Sequence, residues 1–114
     1  MALPWVRLDT GWPHNPKFLM LKADKKYRAI AAYMAGLAYA GGQGTAGFIP
    51  YYALTVLDAT TKDANDLIAV ALWHPCDGGY QINDWGDYQE SSEVTERRRK
   101  KAQDAALVRW HGHK

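Results

Sequence analysis

Five consecutive cations, Arg97-Arg98-Arg99-Lys100-Lys101, are the densest charge in this 114-residue sequence, and Arg109, His111, His113 and Lys114 extend them. Each phosphate that such a side chain neutralises releases counterions, so the run could hold a polyanion in a salt-dependent, sequence-independent way. It could equally be a solvated helix face, because Glu93 and Arg97, Glu96 and Lys100, and Lys101 and Asp104 stand at pairing distance on a helix. A second candidate is the trio Thr61, Lys62 and Asn65, placed on the exposed side of an expected helix. A hydroxyl and an ammonium suit phosphates, and Asn suits adenine. Asp63 and Asp66 are expected on that same exposed side with Ala69, Val70 and Trp73; there they would repel a polyanion, and the alternatives are a helix whose acids only stabilise its own N-terminus or a surface that faces a protein. Lys17, Lys22, Lys25, Lys26 and Arg28 form a third basic group, suited either to a nucleic-acid backbone or to plain solvation.

Catalytic templates fall short. His74-Pro75-Cys76 and His111-Gly112-His113 lack two further ligands at a zinc spacing. Gly41 to Gly47 is glycine-rich but follows a helix and lacks the Lys-Ser/Thr ending of a phosphate loop. Asp84, Asp87 and Glu90 flank Trp85 and Tyr88 at spacings of a turn packed on a core. The expectation is a protein that is not an enzyme and needs no cofactor or metal.

The elements that would position these residues are marked by caps and periodicity. Trp5 to Asp9 alternates apolar and polar residues, as a short strand or an arm on the core would. Asn15-Pro16 opens a short helix reaching Lys22. A longer helix is expected from Asp24 to Gly41-Gly42, with Tyr27, Ile30, Ala31, Met34, Leu37 and Ala38 inward and the small residues Ala29, Ala32, Gly36 and Ala40 opposite, which would permit close packing on more than one face. Phe48-Ile49 reads as a very short strand, and Pro50 begins a helix, 50–58, with Leu54 and Leu57 inward. Thr60 and Asp63 resemble a capping box for a helix 61–73 that buries Ala64, Leu67, Ile68, Ala71 and Leu72. Asp77-Gly78-Gly79 then joins two hairpin strands within 72–83, Asp84 to Gln89 turns, and a last helix runs from Ser92 to about Trp110. Trp73, Trp85 and Tyr88 are expected to wedge the hairpin against the helices, and Trp5 and Trp12 to fasten the leader or, if exposed, to mark a partner-binding patch.

Composition sets the frame. Apolar residues are 47% and charged residues 23%, which argues for one folded domain rather than disorder. No apolar run is long enough to span a membrane, the N-terminus lacks a signal peptide's pattern, and the single Cys76 suits a reducing cytosol. Residues 1–89 hold seven Lys/Arg against eight Asp/Glu, whereas residues 90–114 hold seven against four, so basic character is concentrated in the tail.

Helices, a short strand, a helix pair and a hairpin, in that order, suggest an α-rich α+β fold of winged helix-turn-helix type with a C-terminal basic helix. Trp5-Val6-Arg7-Leu8-Asp9, Gly47-Phe48-Ile49-Pro50, Leu72-Trp73 and Ile82-Asn83-Asp84-Trp85-Gly86-Asp87-Tyr88-Gln89 carry a further signal. They resemble small proteins of actinobacterial phages and prophages described as winged-helix DNA-binding or replication-initiation proteins, similar to the N-terminal domain of phage replisome organisers. The resemblance implies a winged helix acting at phage DNA in the bacterial cytoplasm, in replication initiation or transcriptional control. The expected layout is a winged-helix domain with its N-terminal arm over 1–90 and a basic helix or tail over 91–114. Expected partners are double-stranded DNA or, as the alternative, a host or phage replisome protein without DNA binding. No membrane is involved, and a homodimer is left open. The expected DNA contacts are Thr61, Lys62, Asn65, Arg97, Arg98, Arg99, Lys100, Lys101 and Arg109.

Replacing Arg97, Arg98 and Arg99 together by Ala is expected to weaken DNA binding on all sequences and to flatten its salt dependence by about three counterions. Duplex titrations at several salt concentrations measure this, and unchanged affinity removes the tail from the mechanism.

Overall fold

The computed structural model describes residues 2–88; the expected C-terminal helix, with Arg97 to Lys101 and Arg109, lies outside the described residues. The chain opens as an extended arm rather than a strand. Its Leu3 amide bonds the Gly41 carbonyl at 2.7 Å, and a short 3-10 turn, Trp12–His14, brings Trp12 edge-on to Phe18. Trp12 thus fastens the leader, while Trp5 is half-exposed. Helix α1, Pro16–Ala23, starts as its sequence expects: the Asn15 side chain accepts the Lys17 amide and Pro16 takes the first helical position.

Helix α2, Tyr27–Gln43, differs from expectation at both ends. Its start is delayed from Asp24 because Lys25 adopts a left-handed backbone (φ 57°) that breaks the chain between α1 and α2. At its end the helix runs through Gly41 and Gly42, and the left-handed Gly44 closes it with bonds to the Ala40 and Gly41 carbonyls. The larger correction concerns its faces. The small side, Ala29, Ala32, Gly36 and Ala40, is buried together with Leu37, whereas Tyr27, Ala31 and Ala38 are exposed. Gly36 in particular is required there because the fully buried Trp73 lies against it, and a Cβ on Gly36 would stand only 3.0 Å from the ring.

Three strands make one antiparallel sheet: β1 (Phe48–Pro50), β2 (Trp73–Cys76) and β3 (Gly79–Ile82), in the order β1-β3-β2. Ile49 pairs with Tyr80, and Trp73 pairs with Ile82. The Asn83 amide bonds the Leu72 carbonyl, which sets the ladder phase so that Pro75 faces away from β3, where its missing N–H breaks no ladder bond. The hairpin turn holds Gly78 at φ 82°.

Pro50 ends β1 instead of opening a helix, and α3 is only Ala53–Val56, with Ala53 and Leu54 buried. Helix α4, Thr61–Ala69, has the capping box in full: the Thr60 hydroxyl accepts the Asp63 amide and the Asp63 carboxylate accepts the Thr60 amide. It stops short of 73. Ala71, expected inward, is exposed and left-handed (φ 61°), which costs about 1 kcal/mol but turns the chain so that Leu72 and Trp73 are both buried. Trp73 does not lie on an exposed helix side: it is the largest fully buried side chain, as its expected role of wedging the hairpin against the helices requires. A short helix α5, Trp85–Tyr88, follows a left-handed Asp84, with Trp85 half-buried against the core. The result is an α+β fold whose core joins α1, α2, α4 and the sheet. Among the described residues no helix is long and apolar enough to cross a membrane.

Gly79 is the closest backbone crossing: a Cβ there would collide with the Ile49 carbonyl oxygen and lie 2.8 Å from the Pro50 Cα. Gly79→Ala must therefore push β1 away from β3. It is expected to destabilise the fold by at least about 2 kcal/mol, the scale of overpacking against rigid neighbours. Denaturant unfolding compared with the parent chain measures the loss.

Candidate nucleic-acid interface

Helix α4 presents Thr61, Lys62 and Asn65 outward, all exposed as the sequence suggests. The acidic residues of the helix lie elsewhere than expected. Asp63 is only 4% exposed: its carboxylate is consumed by the capping box and lies 3.6 Å from the Arg28 guanidinium. Asp66 sits in the seam between α4 and the start of α2, where Lys26 reaches one of its oxygens at 3.1 Å and Lys62 the other at 3.3 Å. Burial alone would raise the Asp66 carboxyl, but the hydrogen bonds and charges of Lys26 and Lys62 outweigh it and hold the group below the usual carboxylate range. The helix surface that looked acidic is therefore internally neutralised. What α4 itself shows to solvent is chiefly a hydroxyl, an amide and the Lys62 ammonium, while the exposed Asp24 carboxylate stands 4.0 Å from Lys26.

Those cations come partly from α2. Lys26 and Arg28 belong to the basic group around the junction of α1 and α2, and the fold divides that group by task. Lys17 donates to the Ala71 carbonyl at 3.2 Å, bracing the end of α4. Lys22 donates to the Pro13 carbonyl and lies over the Trp12 ring, fixing the leader. Arg28 also donates to the Asp58 carbonyl at 3.3 Å, so it spans the turn between α3 and α4. Lys26, Arg28 and Lys62 thus line one edge of α4, beside the positive end of its helix dipole. Their adjacency depends on α2 packing on α4 and has no local sequence signal.

The rest of the surface is chemically different. The hairpin tip, Asp77-Gly78, carries an acid and no cation. The outer side of α3 and the turn before it exposes Tyr51, Tyr52 and Val56 without any charge. Among the described residues no group of three His, Cys, Asp or Glu side chains is arranged to hold a metal ion. Arg97, Arg98, Arg99, Lys100, Lys101 and Arg109 lie outside the described residues, so the structure brings together Thr61, Lys62 and Asn65 with Lys26 and Arg28 alone. Comparison with protein-family models, curated proteins and solved structures gives no match to this chain.

The folded chain keeps Asp66 ionised to lower pH than the unfolded chain does. The resulting stabilisation is complete above the ordinary carboxylate range, about pH 4, and is lost as pH falls through the lowered folded value. Asp66→Asn is expected to cost about 1 kcal/mol at pH 7. The deficit relative to the parent chain should shrink toward zero as the pH is taken below 4, followed by thermal unfolding across that range.

Proposed function

We propose that this chain is a winged helix-turn-helix protein that binds double-stranded DNA, with α4 entering the major groove. The order α2-β1-α3-α4-β2-β3 and the seating of β1 on the far side of β3 support the winged-helix reading, because they place a helix pair ahead of a hairpin that extends the sheet. One observation carries the DNA reading. Asp63 and Asp66 turn into the cap and the α2 seam, leaving Thr61, Lys62 and Asn65 to face a ligand beside Lys26 and Arg28. Cations position the backbone and Asn65 reads a base edge. The basic run 97–101 adds sequence-independent affinity. The resemblance to phage proteins supports a role in replication initiation or transcriptional control.

A second reading has its own observation in favour. The uncharged outer side of α3, with Tyr52 75% exposed and Val56 65% exposed, suits a host or replisome protein better than it suits phosphates. In that case the fold serves docking without DNA affinity.

Labelled random and phage-derived duplexes, titrated at 50 and 200 mM salt, separate the two. Binding should weaken steeply with salt. Lys62→Ala should lower the salt slope by about one on every sequence, and Asn65→Ala should cost about 1–3 kcal/mol on the preferred duplex only. Absence of binding at low salt rejects the DNA reading and directs the search to a protein partner.

A further inference from the structure

A cavity of about 450 Å³ lies between the N-terminal arm, α1, α2 and the base of the hairpin, on residues the DNA reading does not use. Its size falls within the range of small-molecule sites. The floor is apolar and buried, made by Phe18, Leu37, Leu72 and Ile82. The walls add the half-buried rings of Trp12, Tyr33 and Trp85. Phe18 already meets Trp12 and Tyr33 edge to face, at 5.2 and 5.3 Å between centroids, and a further flat ring extends such a cluster in the geometry aromatic groups prefer.

The lining is not apolar throughout. Arg7 and Lys17 contribute cations, and Asp9 and Asp84 contribute carboxylates. Asp9, Asp84 and Lys17 keep bonding capacity. Asp9 accepts the Gly11 amide through one oxygen, Asp84 accepts the Asn83 side chain through one oxygen, and Lys17 has three donors with one given to the Ala71 carbonyl. A purely cationic or purely anionic ligand would meet a charge of its own sign here. A ligand carrying both charges and a ring meets a partner for each.

We propose that this cavity binds a zwitterionic aromatic small molecule of the amino-acid type. The ring lies on the floor between Trp12, Phe18 and Trp85, the ammonium faces Asp9 and Asp84, and the carboxylate faces Lys17. The site stands independently of whether α4 binds DNA.

The test uses the full chain and four probes: L-phenylalanine, phenethylamine, 3-phenylpropionate and phenol. Binding is followed by calorimetry and by the fluorescence of the tryptophans, two of which line the cavity. L-Phenylalanine should bind with a Kd of about 1 mM or tighter, and the three analogues at least tenfold more weakly. Asp84→Asn and Asp9→Asn preserve the acceptor that each neighbour uses, and Lys17→Gln preserves a donor for Ala71. Each should weaken L-phenylalanine at least tenfold while thermal unfolding shows the fold intact. Any other ranking of the four probes, an unchanged affinity in all three variants, or no binding of L-phenylalanine at 10 mM overturns the proposal.

Discussion

The burial of Trp73 is the constraint on which the rest of this fold depends. Its ring is 0% exposed, lies tilted against Tyr80 and reaches α2 at Gly36, where the helix has no side chain. Admitting so large a group requires the missing side chain at Gly36, while Tyr27 lies on the exposed side of α2. It also forces α4 to end early, since Trp73 must leave helical geometry to reach the core from a strand. The indole Nε1 has no hydrogen-bond partner among the described residues, an omission that costs about 1–3 kcal/mol. The apolar area that the ring buries, with that of Ile49, Leu57 and Tyr80 around it, outweighs this cost.

Charge follows from the same packing. Once α2 lies on α4, the acids of α4 have cations within reach, and each carboxylate is used twice. Asp63 closes the cap and meets Arg28, while Asp66 bridges Lys26 and Lys62. Individually such partly exposed pairs contribute little to stability. Their consequence is orientation: long flexible side chains are held along one helix edge. Capping, packing and surface chemistry therefore meet at the first two turns of α4.

Local signals were legible and long-range ones were not. The Asn15 cap, the Thr60–Asp63 box, the hairpin turn at Asp77-Gly78 and the short strand at Phe48 each depend on a few neighbouring residues, so the sequence alone located them. The buried side of α2 is not fixed by its period, because Tyr27, Ala31 and Ala38 share the helical period of Ile30 and Leu37, and nothing local says that a tryptophan 37 positions beyond Gly36 needs room. Of the candidate contacts, Thr61, Lys62 and Asn65 were identifiable from helix geometry. Lys26 and Arg28 stand out in the sequence as basic residues but not as neighbours of α4, and the burial of Asp63 has no local signal because a capping box does not report its own burial.

Pro75 has a wider consequence. The β2 strand is an edge of the sheet, and edges with free donors invite pairing with strands from other chains. Here an outward donor position is occupied by the one residue that has no N–H, and the strand is only four residues long. Growth of the sheet by strand addition, whether toward fibrils or toward a swapped hairpin, is blocked on this side.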